Sequence, residues 1–378
     1  MIRPNSQRKL GAIIILIFVI LIVLSGAIWY ALTRDEKEAA PETTPDTVSN
    51  TTPDTTNVTP DDDAGTRKWP VYITTTTHLE GSWIEASSNE VFFNRQASLV
   101  RHGMDIAEEY GAVLTIESEI PMALGMERFN DNLLSEVLAR GHGVGTHCDI
   151  APKTRFTAVE MVAEFLRRTT LVDALVGEEN NLGCSGGGGY SDWYAGAVGA
   201  GLAYIDGGVG YHYLALPLSA RPDGWTDKAI MDEYFHDPAP QNIDQHFHPF
   251  RIGALGFDED PDGELLMSGG ALGRIENLAE IGDWSLRQQT DCPRNVCPFT
   301  QDDVTTAVEF VREFALNDDR ARPAKITFNF ATTSFDNEND AFLHAFFSAM
   351  QELVEDGLVE WTSQRVVYET MEEYYALE

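Results

Sequence analysis

The chain has 378 residues, which is room for one large α/β domain or two smaller ones. It carries 60 acidic residues against 26 basic ones, a formal net charge of -34 at pH 7. Such a charge repels nucleic acid and anionic lipid, so neither is expected as a partner of the folded part. The acidity is typical both of proteins kept soluble at high salt and of ordinary acidic secreted proteins.

The first apolar stretch is residues 10–32, LGAIIILIFVILIVLSGAIWYAL, which contains no charged residue. About 23 residues of helix cross a hydrocarbon core of about 30 Å, so the stretch predicts one transmembrane helix. Arg3, Arg8 and Lys9 precede it, which by the positive-inside rule places residues 1–9 in the cytoplasm. The sequence therefore predicts a single-pass membrane anchor with an extracellular or periplasmic C-terminal domain; a cleaved signal peptide is the alternative.

Residues 33–67 are rich in Thr, Pro and Asp and nearly devoid of large apolar side chains. Such a segment buries too little surface to offset its ordering entropy, which predicts a disordered, extended linker. The folded domain is accordingly expected to comprise residues 68–378.

This domain alternates predicted strands with predicted helices. Strands are predicted at 71–77, 112–116, 144–146, 202–206, 325–330 and 358–361. Helices are predicted at 92–110, 131–141, 157–176, 191–200, 300–316 and 339–355, with a closing helix that ends at 375. The alternation favours a parallel sheet, closed or nearly closed by crossover helices. Residues 211–300 lack this regularity and are interpreted as an irregular insertion.

Two pairs of metal-competent side chains follow predicted strands. His78 and Glu80 end the first strand, and His147 and Asp149 lie in the segment GHGVGTHCDI at the end of a later one. Residues i and i+2 of extended backbone point to the same side, so each pair could present two ligands to one ion. Imidazole with carboxylate suits zinc or a similar divalent metal that keeps a position open for water.

The sequence resembles the polysaccharide deacetylases of carbohydrate esterase family 4 over most of residues 70–376. GHGVGTHCDI is similar to the family motif GHEIGNHTxxH, and THLEG stands where the family has TFDDG. The loop at Cys184 with GLAYIDGG, and the tail LVEWTSQRVVYETMEEYY, are similar to later family segments. The resemblance implies a deformed (β/α)7 barrel, of the type shared by glycoside hydrolases and deacetylases. It also implies metal-dependent removal of acetyl groups from a glycan.

Several family positions differ in this chain. His147 matches the first metal histidine of the motif, whereas the second falls on Ala151, and His78 and Glu80 replace the paired aspartates. The arginine of the RxPxG segment is missing, and KITFNFATTSF lacks the late histidine. The expected ligands of a divalent metal, zinc above all, are therefore His78, His147 and Asp149, with Glu80 as the base or a fourth ligand.

Two other functions stay open at this point. If the altered motifs do not form a metal site, the domain is a barrel that binds glycans without cleaving them. The carboxylates Glu117 and Glu119 after the second strand predict instead a glycoside hydrolase.

Four cysteines are consistent with an exported domain. Cys292 and Cys297, in DCPRNVCPF, are close enough in sequence to form a disulfide around a small loop. Cys148 and Cys184 follow neighbouring predicted strands, and a second disulfide is predicted between them.

Overall fold

The computed structural model describes residues 67–80, 83–282 and 290–377. The predicted anchor and nearly all of the predicted linker lie outside these residues. Among the residues that are described, no helix has the length and apolar character needed to span a membrane.

Strands and helices alternate along the described chain, as predicted. The strands are β1 Val71–Leu79, β2 Thr115–Ser118, β3 Gly143–Cys148, β4 Gly183–Gly186, β5 Tyr204–Asp206, β6 Phe250–Ile252, β7 Leu265–Ser268, β8 Ala271–Arg274, β9 Ala324–Asn329 and β10 Glu360–Trp361. The helices are α1 Trp83–Ser88, α2 Glu90–Glu109, α3 Ile120–Phe129, α4 Leu133–Ala139, α5 Ala158–Val176, α6 Trp193–Gly199, α7 Asp227–Ala229, α8 Ile243–Phe247, α9 Leu278–Ile281, α10 Gln301–Asn317, α11 Asp340–Glu355 and α12 Gln364–Leu377.

The strands form a largely parallel sheet whose order is β6-β7-β5-β4-β3-β2-β1-β9-β8, with β10 paired to β1. Only Gly269 and Gly270 separate β7, which pairs with β5, from β8, which pairs with β9. The strands from β1 round to β9 therefore close into a ring, and the antiparallel β6 adds to its outside. Gly270 permits this turn because its φ is +92° and a Cβ there would lie 2.4 Å from the carbonyl oxygen of Lys325.

The region 211–300 contributes more to the sheet than the sequence indicated, because it contains β6, β7 and β8. These strands are three or four residues long, and glycines separate β7 from β8. Runs that short give no measurable two-residue periodicity, so they were not recognisable as strands.

Side-chain caps set the starts of the long helices. Thr157 and Glu160 form a reciprocal capping box at the start of α5, and Thr300 and Asp303 form one at α10. Both helices begin within a residue of the predicted position. The helices α2, α10 and α11 pack against β1 and β9 through a buried aromatic and aliphatic core that includes Phe328, Phe330, Phe335, Phe346 and Phe347.

The interior of the ring contains a buried ion pair. Lys325 of β9 is 0% exposed, and its Nζ donates to Asp206 Oδ1 of β5 at 2.7 Å, to the Ser268 carbonyl at 3.0 Å and to Gln364 Oε1 at 2.8 Å. Thr76 of β1 donates to the other oxygen of Asp206 at 3.3 Å. The ion pair and its hydrogen-bond partners therefore connect the strands β1, β5, β7 and β9 with the helix α12.

Replacing Lys325 with methionine is expected to destabilise the fold by about 3–5 kcal/mol, because it leaves the Asp206 carboxylate buried without its cation. Chemical denaturation measures this loss, and the double variant Lys325→Met/Asp206→Leu should recover most of it. Lys228→Met, which removes a surface ion pair with Asp232, is the control and should leave the midpoint unchanged. If Lys325→Met were as stable as this control, the buried ion pair between Lys325 and Asp206 would not stabilise the fold as described.

Candidate metal centre

Strand register places four polar side chains at the carboxyl end of the ring. His78 of β1 is opposite Glu117 of β2, and His147 of β3 is opposite Ser185 of β4. Glu117 is also opposite Gly145, where a Cβ would lie 3.1 Å from the Glu117 Cγ, so the glycine leaves room for this side chain. In parallel α/β sheets this is the edge at which ligands bind.

His78, Glu80 and His147 converge there. Each offers one ligand atom, and these three atoms lie within 4.8 Å of one another. The two imidazole rings are stacked, with centroids 3.9 Å apart and planes at 17°. The His78 Nδ1 is 3.2 Å from Glu80 Oε1. The predicted association of His78 with His147 is therefore present in the structure.

These three residues fit a divalent metal. Two imidazoles and one carboxylate are a known donor set for catalytic zinc, which binds N and O at about 2.0–2.2 Å and keeps a fourth position open. These ligand atoms, up to 4.8 Å apart, would move closer together around such an ion. The Glu80 side chain is 45% exposed, so the group is accessible from solvent.

Asp149 is not one of the three converging residues, contrary to the predicted ligand set. The prediction assumed extended backbone from His147 to Asp149. Strand β3 ends at Cys148, however, and the Ile150 N–H donates back to the Cys148 carbonyl at 2.8 Å. The chain therefore turns at Asp149, and the alternation of side chains does not continue. Glu80, predicted as base or fourth ligand, supplies the carboxylate of the group.

Two buried glutamates stand beside the histidines. Glu117 Oε2 is 3.2 Å from His78 Nε2, and Glu119 Oε1 is 3.8 Å from His147 Nε2. Among the described residues, Glu119 Oε1 has no hydrogen-bond partner. From the sequence, both carboxylates were predicted as a glycosidase pair; their two-residue spacing at the end of β2 was the available signal for an inward-facing pair. Their proximity to the histidines depends on the β1–β2–β3 register and was not predicted.

Ser185 is a site residue that the sequence analysis missed. Its Oγ lies 2.7 Å from His147 Nδ1 and 3.2 Å from His78 Nε2. Cys184 was predicted to lie in a loop, whereas it belongs to β4 together with Ser185. The four consecutive glycines at 186–189 favour a loop, and the three residues before them are too few to indicate a strand.

The charges of the site are strongly coupled. Burial lowers the pKa of His78, but contacts with Glu117 and Glu80 outweigh burial and raise the pKa to about 10. Burial also opposes ionisation of Glu80, yet His78 lowers the pKa of that carboxyl to about 2. For Glu119, burial together with repulsion from Asp149 and Glu80 raises the pKa to about 9. Burial and the neighbouring His78 hold the pKa of His147 well below its usual range.

Aromatic rings from the irregular region lie near the metal-competent group. His236 is exposed, and it lies close enough to the group for the charges of Glu80 and His78 to act on its pKa. Phe235 packs against His236 with centroids 4.6 Å apart, and Tyr211 packs against Phe235 at 5.7 Å. No role was predicted for these three residues from the sequence.

The cysteines agree with one of the two predicted disulfides. Cys292 and Cys297 are bonded, with Cα atoms 5.3 Å apart. Cys148 and Cys184 are free and buried, so the second predicted disulfide is wrong. In the β3–β4 register Thr146 is opposite Cys184 and Cys148 is opposite Gly186. The two thiols are nevertheless neighbours, because burial and then the interaction with Cys148 raise the pKa of Cys184.

Alkylation of the unfolded, unreduced protein is expected to label two cysteines per chain, and labelling after reduction should modify all four. Mass spectrometry of the peptides would show which cysteines carry the label. Labelling at Cys292 and Cys297, or none at Cys148 and Cys184, would contradict the observed pairing.

Comparison with known proteins gives structural similarity without sequence similarity. The sequence matches no protein-family profile and no curated protein. Similar solved structures include a 4-alpha-glucanotransferase from Thermococcus litoralis, at 12% identity and a TM-score of 0.46; the match covers 79% of this chain but only 38% of the glucanotransferase.

Two further similar structures bear the name of the family that the sequence motifs resemble. One is a putative polysaccharide deacetylase from Mycobacterium smegmatis, at 14% identity and a TM-score of 0.42, covering 85% of this chain and 96% of that one. The other is a probable polysaccharide deacetylase from Pseudomonas aeruginosa PAO1, at 9% identity and a TM-score of 0.47, covering 79% of this chain and 90% of that one.

Proposed function

We propose that the protein is a metal-dependent polysaccharide deacetylase-like hydrolase. It removes acetyl groups from a glycan of the cell envelope or the surroundings, and residues 10–32 anchor it in the membrane with the domain outside the cytoplasm. The observation that carries the proposal is the convergence of His78, Glu80 and His147 at the carboxyl end of the strand ring. The ring of strands is consistent with the deformed (β/α)7 barrel that the motif resemblance implies.

His78, Glu80 and His147 would hold the metal, for which zinc is the best match to the donor set. When bound, such an ion supplies Lewis-acid polarisation of a carbonyl group and a more acidic water. Both imidazoles are positioned without it, because each has a second ring nitrogen in contact with a buried polar group. The partial exposure of Glu80 leaves an approach for an acetylated sugar.

Glu119 is the residue we assign to proton transfer. Its Oε1 lies 3.8 Å from His147 Nε2 and has no hydrogen-bond partner among the described residues. Because its pKa is raised to about 9, Glu119 is a carboxylic acid at neutral pH and gives its proton to the leaving nitrogen or oxygen of the sugar; the carboxylate so formed takes up the proton of the water that adds to the acetyl carbon. Glu80, predicted as the base, is then a metal ligand.

Two alternative mechanisms meet steric difficulty. Ser185 contacts His147 as a nucleophilic serine would, but its Oγ also lies 3.2 Å from His78 Nε2, so both of its contacts are with the metal-competent rings. A glycosidase would need both Glu117 and Glu119 beside the sugar bond, and Glu117 is 2% exposed with an oxygen against His78.

The test incubates the purified protein with acetylated chitin oligomers and measures acetate and new reducing ends. We expect acetate release that stops with a chelator and returns with added zinc. New reducing ends without acetate would identify a glycosidase. Retention of the oligomers with neither product would identify a binding module; either outcome would overturn the proposal.

A further inference from the structure

Three aromatic side chains of the irregular region contact one another at the protein surface. The ring centroids of Phe235 and His236 are 4.6 Å apart, those of Tyr211 and Phe235 5.7 Å, and those of Tyr211 and His236 6.1 Å. Tyr211 and Phe235 are half-buried, and His236 is exposed. The three rings therefore form one continuous surface that solvent reaches, and they are named the aromatic patch below.

The aromatic patch is attached to the strand that borders His147. His212, the residue after Tyr211, is buried, and its Nε2 donates to the Gly186 carbonyl at 3.2 Å. A Cβ on Gly186 would lie 3.7 Å from His147 Cε1, so this glycine borders the imidazole of the metal-competent group. The Val209 N–H donates to His212 Nδ1 at 3.1 Å. Both nitrogens of the buried ring are thus bonded, which fixes the patch at the carboxyl end of the strand ring.

Backbone contacts join the two segments that carry the aromatic patch. The Tyr211 N–H donates to the Phe235 carbonyl at 3.2 Å, and the Gly210 N–H donates to the Asp237 carbonyl at 2.9 Å. Phe235 directly follows a turn of π-helix, Ile230–Tyr234. Such turns are rare and frequently occur at functional sites. The positions of the three rings are therefore set by the backbone.

Phe235 makes no contribution to the hydrophobic core that would explain it. Tyr211 packs against a buried cluster that includes Tyr213 and Trp225, whereas Phe235 belongs to none of the hydrophobic clusters of the described residues. Contiguous apolar surface of this kind is typical of ligand-binding grooves, and ligand sites combine aromatic side chains with a few polar groups. The Tyr211 hydroxyl and the His236 imidazole are such polar groups.

A sugar ring suits this surface. The two faces of a pyranose carry C–H groups, and these pack on the electron-rich face of an aromatic ring. The hydroxyls at the edge of the sugar need donors and acceptors, which Tyr211 and His236 offer. Nucleic-acid bases also stack on aromatic rings, but the net charge of -34 repels their phosphates.

We infer that Tyr211, Phe235 and His236 form a sugar subsite, which binds one pyranose of the glycan through its C–H face beside the metal-competent group. The inference rests on the proposed function and adds the residues that recognise the glycan chain. It assigns that recognition to side chains outside the segments that resemble the deacetylase motifs.

Calorimetric titration of the purified protein with chitin oligomers tests the subsite, with a chelator present so that no acetate is released. Phe235→Ala and Tyr211→Ala are each expected to weaken binding by about 2–10-fold, the range that corresponds to one aromatic contact. Phe235→Trp keeps an aromatic face and should bind about as tightly as the wild type. If Phe235→Trp instead lost as much affinity as Phe235→Ala, stacking on this ring would be refuted.

Phe129→Ala is the matched control, because Phe129 is another half-buried phenylalanine, on helix α3, whose ring packs against Phe93 at 5.4 Å. Its affinity for the oligomers should equal that of the wild type. A wild type that binds no oligomer, or alanine variants at Phe235 and Tyr211 that bind as tightly as this control, would overturn the inference. Ring-dependent binding without acetate release in added zinc would instead refute the proposed function and leave the sugar subsite standing.

Discussion

Replacing His147 with alanine is expected to abolish both metal binding and acetate release. The side chain supplies one of three converging ligand atoms, and its ring packs on the other imidazole of the group at 3.9 Å. Removing a direct ligand should cost more than the roughly 10–100-fold in affinity that loss of a supporting residue costs. Elemental analysis of the purified variant, with acetate release measured at saturating zinc, provides the comparison.

His102→Ala is the matched control for this experiment, because His102 is a partly exposed histidine that pairs with Asp340 on the helical exterior. It should retain metal and activity. If His147→Ala contained as much metal as this control, the assignment of the ligands would be wrong.

Replacing Glu119 with glutamine is expected to reduce kcat by about 10²–10⁴-fold while the metal content stays at the wild-type level. The amide keeps the size of the side chain but cannot carry the proton between water and leaving group. Glu80→Gln should behave differently, because the loss of its carboxylate removes a ligand and lowers the metal content. Steady-state kinetics and elemental analysis on both variants separate the two roles.

The opposite pattern, in which Glu119→Gln loses metal and Glu80→Gln keeps it, would exchange the two assignments. Full activity in Glu119→Gln would show that proton transfer uses another group. Glu108→Gln changes a surface glutamate that binds Arg140 and serves as the control for the substitution itself.

The parts of the fold that were predicted correctly have strong local signals. The β-branched run of β1 made a strand evident and placed His78 near its end, and the threonines at 157 and 300 marked helix starts. The segment after α4 likewise predicted β3 and placed His147 at its end. In each case the determining interactions lie within a few residues of one another in sequence.

The parts that were missed depend on contacts between distant segments. Ser185 and Glu117 reach the histidines only through the pairing of β1 with β2 and of β3 with β4. Asp149 was misplaced because a turn begins one residue earlier than a periodic pattern can show. His236 approaches the group from a region whose strands are too short to recognise. Strand register and turn positions depend on how the whole ring packs, and no short segment of the sequence determines them.

The most direct test of the metal centre is X-ray diffraction at the zinc absorption edge from crystals of the zinc-loaded protein. We expect one strong anomalous peak bounded by His78, Glu80 and His147, at the usual zinc distances of about 2.0–2.2 Å from their N and O atoms. A peak elsewhere in the domain, or none at this group, would contradict the metal-dependent mechanism.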